Sequence, residues 1–247
     1  MRVIACIPAR YESSRFPGKP LAEIAGKPMI QRVVERAAAA RNIDEVWVAT
    51  DDERIVAAVE EVNGKAVMTA SEHCTGTDRI AEALENVEAD LVINLQGDEP
   101  LVPPGVIDRL VEAMIDCQAE MGTVAVPFDQ ADSEPNDFNV VKVVVDDNDY
   151  ALYFSRSLIP FPRPGGKPVT PLLHWGLYAY RRSFLERFVK WPPGQLERCE
   201  MLEQLRALEN GARIKVIRAE TPVKGVDVPE DIEKVEKMLI DSDSKRG

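Results

Sequence analysis

The sequence has few of the features that would place it among secreted, membrane or metal-ribbon proteins. Its four cysteines are scattered over 247 residues without a Cys-x-x-Cys pair, so neither a zinc ribbon nor a disulfide framework is indicated. No apolar run approaches the ~20 residues of a membrane span, and the short apolar start at residues 2–8 lacks the features of a signal peptide. We therefore expect a cytoplasmic protein with no membrane insertion.

Positive charge is also scarce. Lys and Arg total 30 against 42 for Asp and Glu, a net charge of −12, which repels polyanions and argues against nucleic-acid binding. Two nucleotide-binding patterns are missing as well: no G-x-x-x-x-G-K-[ST] is present, and no G-x-G-x-x-G follows the first apolar run. A P-loop NTPase and a nicotinamide dehydrogenase are thus disfavoured, and any phosphate site must be a local exception to the acidic field.

The first half of the chain alternates short apolar runs with helical patterns. The runs at 3–7, 45–49, 66–68 and 90–94 predict strands, and helical patterns follow from Pro28, Asp51 and Thr77. This alternation is typical of an α/β fold with a mainly parallel central sheet and helices on both faces. We expect a single domain over residues 1–240, with a nucleotide-binding half at about 1–120 and a polar tail at 241–247.

The second half is richer in strand patterns. Strands are predicted at 123–127, 140–145, 150–155 and 173–180, and the second and third of these are joined as a hairpin by a turn-prone Asp-rich segment. One amphipathic helix is expected over 196–209, then a strand at 213–217 and a last helix from Pro229. Residues 121–210 exceed what a simple parallel sheet needs, and we expect them to form a smaller β-rich subregion with the acceptor-binding and dimerisation elements.

Three cations lie within ten residues directly after strand 1. Arg10, Arg15 and Lys19 stand where α/β sheets bind ligands, beyond the carboxyl end of a strand. Ser13 and Ser14 add hydroxyl and backbone donors, so the loop can wrap a triphosphate. The alternative is a solvated basic loop with no ligand.

The same loop carries a recognisable motif. Residues 8–21 read P-A-R-Y-x-S-x-R-F-P-G-K-P-L, and later motifs follow in order: Gly26–Ile30, Gly76-Thr77, Leu95–Pro100, Ala151–Arg156, His174–Arg181, Glu200–Arg206 and Val226–Asp231. Together they resemble the CMP-KDO synthetase family, the 3-deoxy-manno-octulosonate cytidylyltransferases, over nearly the whole chain. The resemblance implies a Rossmann-like nucleotidyltransferase fold, a homodimer, and transfer of CMP from CTP to 3-deoxy-D-manno-octulosonate (KDO) for lipopolysaccharide synthesis.

Two aspartates are candidate ligands for Mg²⁺, which one or two carboxylates, phosphates and waters usually hold in nucleotide sites. Asp98 follows the apolar strand 90–94, and Asp227 precedes the last helix. On local pattern alone Asp98 also suits a turn and Asp227 a helix cap. The resemblance implies that both bind metal.

The resemblance also implies the remaining site residues. Those for the nucleotide are Ala9, Arg10, Ser13, Ser14, Arg15, Lys19, Gly76 and Gln96. Those for the sugar acid are Gln96, Arg156, His174, Tyr178, Glu203 and Gln204. Arg156 suits the bidentate contact that a carboxylate prefers, while a core histidine and a solvated helix face are the simpler interpretations of His174 and of Glu203 with Gln204.

In the resulting hypothesis the C2 hydroxyl of KDO attacks the α-phosphorus of CTP and pyrophosphate leaves, assisted by Asp98, Asp227, Lys19 and Arg15. Two alternatives stay open. The short Pro/Gly-rich loop between Ile159 and Leu172 leaves 8-amino-KDO or a sialic acid as other acceptors. A non-catalytic nucleotide-binding protein is the second, although the presence of Asp98 and Asp227 argues against it.

Overall fold

The computed structural model describes residues 1–12, 16–130, 134–167, 169–220 and 225–244. Within them the strands are β1 Val3–Ala9, β2 Glu23–Ile24, β3 Lys27–Pro28, β4 Glu45–Thr50, β5 Lys65–Met68, β6 Leu91–Asn94, β7 Met121–Pro127, β8 Lys142–Val145, β9 Ala151–Ser155, β10 Leu172–Arg181 and β11 Ile214–Arg218. The α-helices are α1 Met29–Ala38, α2 Glu53–Glu60, α3 Gly76–Ala83, α4 Pro104–Ile115, α5 Arg182–Phe188, α6 Gln195–Glu200, α7 Gln204–Glu209 and α8 Asp231–Ser244.

The chain divides into two compact units, Met1–Asp108 with Val223–Gly247, and Arg109–Pro222. The first unit contains four parallel strands in the order β6-β1-β4-β5. Every residue of β6 is buried, as expected for an apolar strand that is covered on both faces. The predicted α/β class and the parallel pairing of the first half are confirmed.

The helices of the first unit follow from periodicity and capping. In α1 the apolar residues repeat at helical spacing and are buried, and Pro28 stands at the N-cap. The buried apolar residues are Met29, Ile30, Val33, Val34 and Ala37. In α2 the carboxylate of Asp52 caps the helix by accepting a hydrogen bond from the Arg54 amide at 2.9 Å. These local signals were sufficient to predict both helices.

The second unit is a mixed sheet in the order β11-β7-β10-β8-β9. Only β11 and β7 are parallel, while the other three pairings are antiparallel. The predicted hairpin between β8 and β9 is present, and at its turn the Asp146 carboxylate accepts hydrogen bonds from the amides of Asn148 and Tyr150, each at 2.8 Å.

Several boundaries differ from the predictions. The single helix expected over 196–209 is two helices, because Met201 adopts a left-handed backbone with φ of 53°. At this break the Glu200 carbonyl accepts a hydrogen bond from Arg156 Nε at 2.7 Å. Helix α5 was not predicted. Helix α8 continues to Ser244, so residues 241–244 are helical where a polar tail was expected, and 245–247 lie outside the described residues.

None of the helices in the described ranges has both the length and the apolar character required to cross a bilayer.

Candidate active site

A cavity of about 280 Å³ lies in the first unit at the carboxyl ends of β1 and β6. These strands are parallel neighbours, so the residues that follow them reach the same edge of the sheet. Seven residues predicted for the nucleotide or the metal line this cavity: Ala9, Arg10, Lys19, Gly76, Gln96, Asp98 and Asp227. Ser13, Ser14 and Arg15 lie outside the described residues.

Two glycines let the backbone close around the end of β1. A Cβ on Gly76 would lie 3.0 Å from Pro8 Cγ, and a Cβ on Gly97 would lie 3.1 Å from the Pro8 carbonyl oxygen. Gly76 is the first residue of α3, whose cap Thr75 accepts a hydrogen bond from the Asp78 amide at 3.1 Å. The first turn of α3 and the loop after β6 therefore both line the cavity.

Lys19 connects three parts of the chain within this cavity. Its Nζ lies 2.6 Å from Asp98 Oδ2 and donates a second hydrogen bond, at 2.7 Å, to the Val226 carbonyl. Both side chains of the ion pair are partly buried, so the cation and the carboxylate interact with limited screening from water. A basic loop that was merely solvated would not show this pairing.

The segment that carries Asp227 is held beside Asp98 by backbone contacts. The Val226 amide donates to the Asp98 carbonyl at 3.0 Å, and a Cβ on Gly225 would come within 3.2 Å of the same oxygen. The Asp231 carboxylate accepts from the amides of Asp227 and Val228 at 3.1 and 3.3 Å. The two aspartates predicted as metal ligands, 129 positions apart, thus line one cavity.

The ligand atoms of this cavity suit a hard cation that takes few of its ligands from the protein. The described residues contain no group of three or more His, Cys, Asp and Glu side chains arranged to hold a metal ion. Asp98 and Asp227 instead offer two carboxylates, which is the number that Mg²⁺ commonly takes from a protein when phosphates and waters complete its octahedron. The residues therefore fit Mg²⁺ bound together with a nucleotide.

Other lining residues were missed by the sequence reasoning: Pro8, Pro20, His73, Cys74, Thr75, Arg79 and Gly97. Arg79 is 3% exposed and donates from Nη1 to Thr69 Oγ1 at 2.6 Å and from Nη2 to Asp51 Oδ2 at 2.8 Å. His73 contacts the Glu82 carboxylate, and this hydrogen bond lowers the pKa of Glu82. The helical pattern predicted from Thr77 was the available signal for residues 73–76.

The base of the N-terminal loop is anchored on α2. The Arg54 guanidinium stacks over the Tyr11 ring at 3.5 Å from its centroid, and it is paired with Asp52 at 2.6 Å. The Gly18 amide donates to the Tyr11 carbonyl at 2.9 Å. These contacts bring the two ends of the loop together on either side of residues 13–15.

The residues predicted for the sugar acid lie in the second unit, apart from Gln96. His174 and Tyr178 share β10, with ring centroids 5.5 Å apart despite a bulge between Trp175 and Tyr178. His174 Nε2 lies 3.0 Å from Thr123 Oγ1, and burial lowers the pKa of His174 to about 3, so the ring is neutral near pH 7. Burial and the nearby Glu203 carboxylate raise the pKa of Tyr178, so its hydroxyl keeps its proton.

Glu203 and Gln204 stand at the corner between α6 and α7. Glu203 is the N-cap residue of α7, and Gln204 is its first residue with 3% exposure. Among the described residues, Gln204 Nε2 is buried without a hydrogen-bond partner. A buried amide of this kind is suited to a polar ligand, and its burial contradicts the simpler interpretation of a solvated helix face.

Arg156 directly follows β9 and is fixed at both ends. Its amide donates to Glu200 Oε2 at 2.9 Å, its Nε to the Glu200 carbonyl at 2.7 Å, and its Nη1 to the Phe138 carbonyl at 3.1 Å. Its Nη2 makes no hydrogen bond within the described part of the chain. The end of the guanidinium can therefore meet an anion.

Comparisons with known proteins match the chain to one family. A family model described as cytidylyltransferase matches residues 4–215. The chain is 52% identical over 244 residues to the 3-deoxy-manno-octulosonate cytidylyltransferase of Syntrophobacter fumaroxidans, covering 97% of each chain. It is 50% identical over 252 residues to the enzyme of the same name from Thermodesulfovibrio yellowstonii, covering 97% of this chain and 98% of that one.

A solved structure of CMP:2-keto-3-deoxy-manno-octonic acid synthetase complexed with CTP is 44% identical, with a TM-score of 0.93 over 98% of this chain and 100% of that one. A 4-diphosphocytidyl-2C-methyl-D-erythritol synthase structure from Anaerococcus prevotii, 15% identical with a TM-score of 0.63 over 96% of this chain and 98% of that one, shares the fold alone. Both agree with the predicted nucleotidyltransferase fold. From its ordered motifs, its cavity and these likenesses, the chain belongs to the cytidylyltransferases and, within them, to the 3-deoxy-manno-octulosonate cytidylyltransferase family.

Proposed function

We propose that this protein transfers CMP from CTP to the C2 hydroxyl of KDO, releasing pyrophosphate and making CMP-KDO for lipopolysaccharide synthesis. The observation that carries the proposal is the meeting of Lys19, Asp98 and Asp227 in one cavity at the carboxyl ends of β1 and β6. In an acidic protein, a cation beside two carboxylates suits a nucleoside triphosphate bound with a divalent cation. Membership of the family supplies the two substrates.

The residues proposed for the nucleotide and the metal have separate roles. Arg10 and Lys19 neutralise the phosphates, with Arg15 as a further cation of the loop, while Ala9, Ser13, Ser14, Gly76 and Gln96 contact the nucleotide. Asp98 and Asp227 would hold Mg²⁺, which would act as a Lewis acid on the α-phosphate and would lower the pKa of the C2 hydroxyl. No side chain acts as a covalent nucleophile, so alignment and charge stabilisation provide the rate enhancement.

The acceptor residues orient the sugar acid. The free end of the Arg156 guanidinium binds its carboxylate, a pairing that is geometrically specific because both groups are planar. Tyr178 donates a hydrogen bond from a hydroxyl that stays protonated, and neutral His174 is both a donor and an acceptor. Gln96, Glu203 and Gln204 complete the contacts to the sugar hydroxyls.

An assay of pyrophosphate release tests the proposal. Purified protein with CTP and Mg²⁺ is offered KDO, 8-amino-KDO or a sialic acid in parallel. We expect turnover with KDO at a kcat/KM at least tenfold above that for the other acids. Product from the amino analogue alone would contradict the KDO assignment, and CTP binding without turnover on any acid would favour a non-catalytic nucleotide-binding protein.

Assembly and location belong to the same proposal. The protein is proposed to act in the cytoplasm as a homodimer. Strand β9 supports the dimer, since among the described residues it pairs along its length with β8 alone and carries Leu152, which is 61% exposed. Light scattering after size-exclusion chromatography is expected to give the mass of two chains, and Leu152→Glu to shift the protein toward one.

A further inference from the structure

Lys142 is a fully buried cation outside the residues assigned above. It is the first residue of β8 and has 0% exposure. Its Nζ donates to the carbonyls of Asp137 at 2.9 Å and Val140 at 2.6 Å, and also to the carbonyl of Arg156. An ammonium group has three N–H donors, so each one is directed at a backbone carbonyl.

A lysine in this position is unfavourable unless those bonds matter. Burial of an ammonium costs free energy, and desolvation here lowers the pKa of Lys142. Its three hydrogen-bond acceptors are backbone dipoles, and β-strands more commonly fill such interior positions with Val or Ile. The side chain therefore suits the task of fixing carbonyl groups in place better than that of filling the core.

The backbone that Lys142 binds lies beside two residues assigned to the sugar acid, His174 and Arg156. Strand β8 pairs with β9 on one side, Lys142 opposite Ser155, and with β10 on the other, Lys142 opposite Leu173. The His174 amide donates to the Val141 carbonyl at 2.8 Å. Residues 137–142 are thus bonded to the backbone beside His174 and to that of Arg156.

Arg156 is held by this loop and by α6. Its Nη1 donates to the carbonyl of Phe138, which lies within the loop that Lys142 fixes through Asp137 and Val140. From the other side, Glu200 accepts from the Arg156 amide and, through its own carbonyl, from Nε. Lys142 acts at two points, on the Arg156 main chain and on the loop that orients the guanidinium.

We propose that Lys142 is a positioning residue for the sugar acid: by fixing the carbonyls of Asp137, Val140 and Arg156, it holds the Arg156 guanidinium where it can bind a carboxylate. The inference rests on the proposed assignment of Arg156 to that carboxylate. It assigns Lys142 no contact with substrate and no part in the chemical step. Loss of the lysine is therefore expected to weaken binding of the acid selectively.

The test is Lys142→Met, which keeps an unbranched side chain one atom shorter and removes all three donors. The KM for KDO is expected to rise at least tenfold, while the KM for CTP changes less than twofold. Arg181→Met is the matched control, because the Arg181 guanidinium also donates to three backbone carbonyls of the same unit, those of Met114, Cys117 and Ala119. Thermal unfolding is expected to show a similar loss of stability in both variants, with the KM for KDO raised only in Lys142→Met.

A double-mutant cycle separates the inference from the assignment beneath it. In an Arg156→Met background, Lys142→Met is expected to raise the KM for KDO less than twofold further, because it acts through Arg156. If Arg156→Met alone leaves that KM unchanged, the assignment of Arg156 is wrong. If Arg156→Met raises it but Lys142→Met behaves like Arg181→Met, the role of Lys142 is refuted. Should Lys142→Met not fold, Lys142→Gln replaces it. Its shorter side chain keeps two of the three donors, so the KM for KDO is expected to rise severalfold with the KM for CTP unchanged; a KM for KDO no higher than that of Arg181→Met would refute the role.

Discussion

Asp98→Asn is the most direct test of the cavity because it removes a charge and keeps the shape of the side chain. Asp98 Oδ2 lies 2.6 Å from Lys19 Nζ, and both side chains are partly buried. An ion pair of this exposure contributes about 1 kcal/mol, and Lys19 keeps its hydrogen bond to the Val226 carbonyl. We expect the free energy of unfolding to fall by about 1 kcal/mol and Tm by about 2–4 °C.

The expected loss of turnover is much larger than the loss of stability. Removal of one preorganised electrostatic contact to a transition state typically lowers kcat by about 10²–10³-fold, or about 3–4 kcal/mol. Asp98 is proposed to act through Mg²⁺ bound to the phosphates, so its removal should reach at least this range. The activity deficit then exceeds the stability deficit by roughly 2 kcal/mol or more.

The measurement is pyrophosphate release with CTP and KDO over a Mg²⁺ titration, with thermal unfolding followed in parallel. Asp90→Asn is the matched control, since Asp90 directly precedes β6, at the strand's other end, and its carboxylate accepts from the Arg2 amide at 2.6 Å. Asp90→Asn should keep full kcat. If Asp98→Asn retains more than a tenth of kcat at saturating Mg²⁺ and CTP while folded, its proposed role is refuted.

Two further predictions follow from packing and burial. Gly97→Ala places a Cβ 3.1 Å from the Pro8 carbonyl oxygen, so we expect the KM for CTP to rise severalfold and the free energy of unfolding to fall by about 1–3 kcal/mol. Gly105→Ala, in helix α4 with open space around it, should leave the KM unchanged and raise the free energy of unfolding by up to about 1 kcal/mol, as measured by initial-rate assays and calorimetry. Burial lowers the pKa of His174 from 6.5 to about 3, so between these values the unfolded chain binds more protons than the folded one. The contribution of His174 to the free energy of unfolding is therefore highest above pH 6.5. It falls by about 1.4 kcal/mol for each pH unit below 6.5, as far as pH 3. Denaturant unfolding at several pH values should show this slope in the difference between the free energies of unfolding of the parent protein and of His174→Gln. A difference that does not depend on pH would contradict the prediction.

The parallel strands and the first helices could be predicted because their signals are local. An apolar run such as 91–94 and the apolar face of α1 each carry their own periodicity, and Asp52 marks a helix start within three residues. The corner at Met201 could not be predicted in this way. At this corner the Glu200 carbonyl accepts a hydrogen bond from Arg156, 44 positions away, and local pattern does not reveal such a contact.

The candidate site divides in the same manner. The rule that ligands bind at the carboxyl ends of parallel strands, together with the resemblance, predicted Asp98 and Lys19. Residues such as Arg79 were missed, because its burial depends on partners at Asp51 and Thr69 that local pattern does not reveal. Lys142 was missed for a related reason: within a Val-rich strand a lysine suggests an exposed position, whereas the structure buries it completely.

The backbone hydrogen bond from Val226 to Asp98 has a consequence for the synthesis of the protein. Lys19 and Asp98 are synthesised early, whereas Asp227 is synthesised only after more than a hundred further residues. A chain truncated before residue 225 would keep the basic loop but lack Asp227, one of the two carboxylates proposed to bind the cation. Truncated products that lack this segment are for this reason expected to be unable to consume CTP.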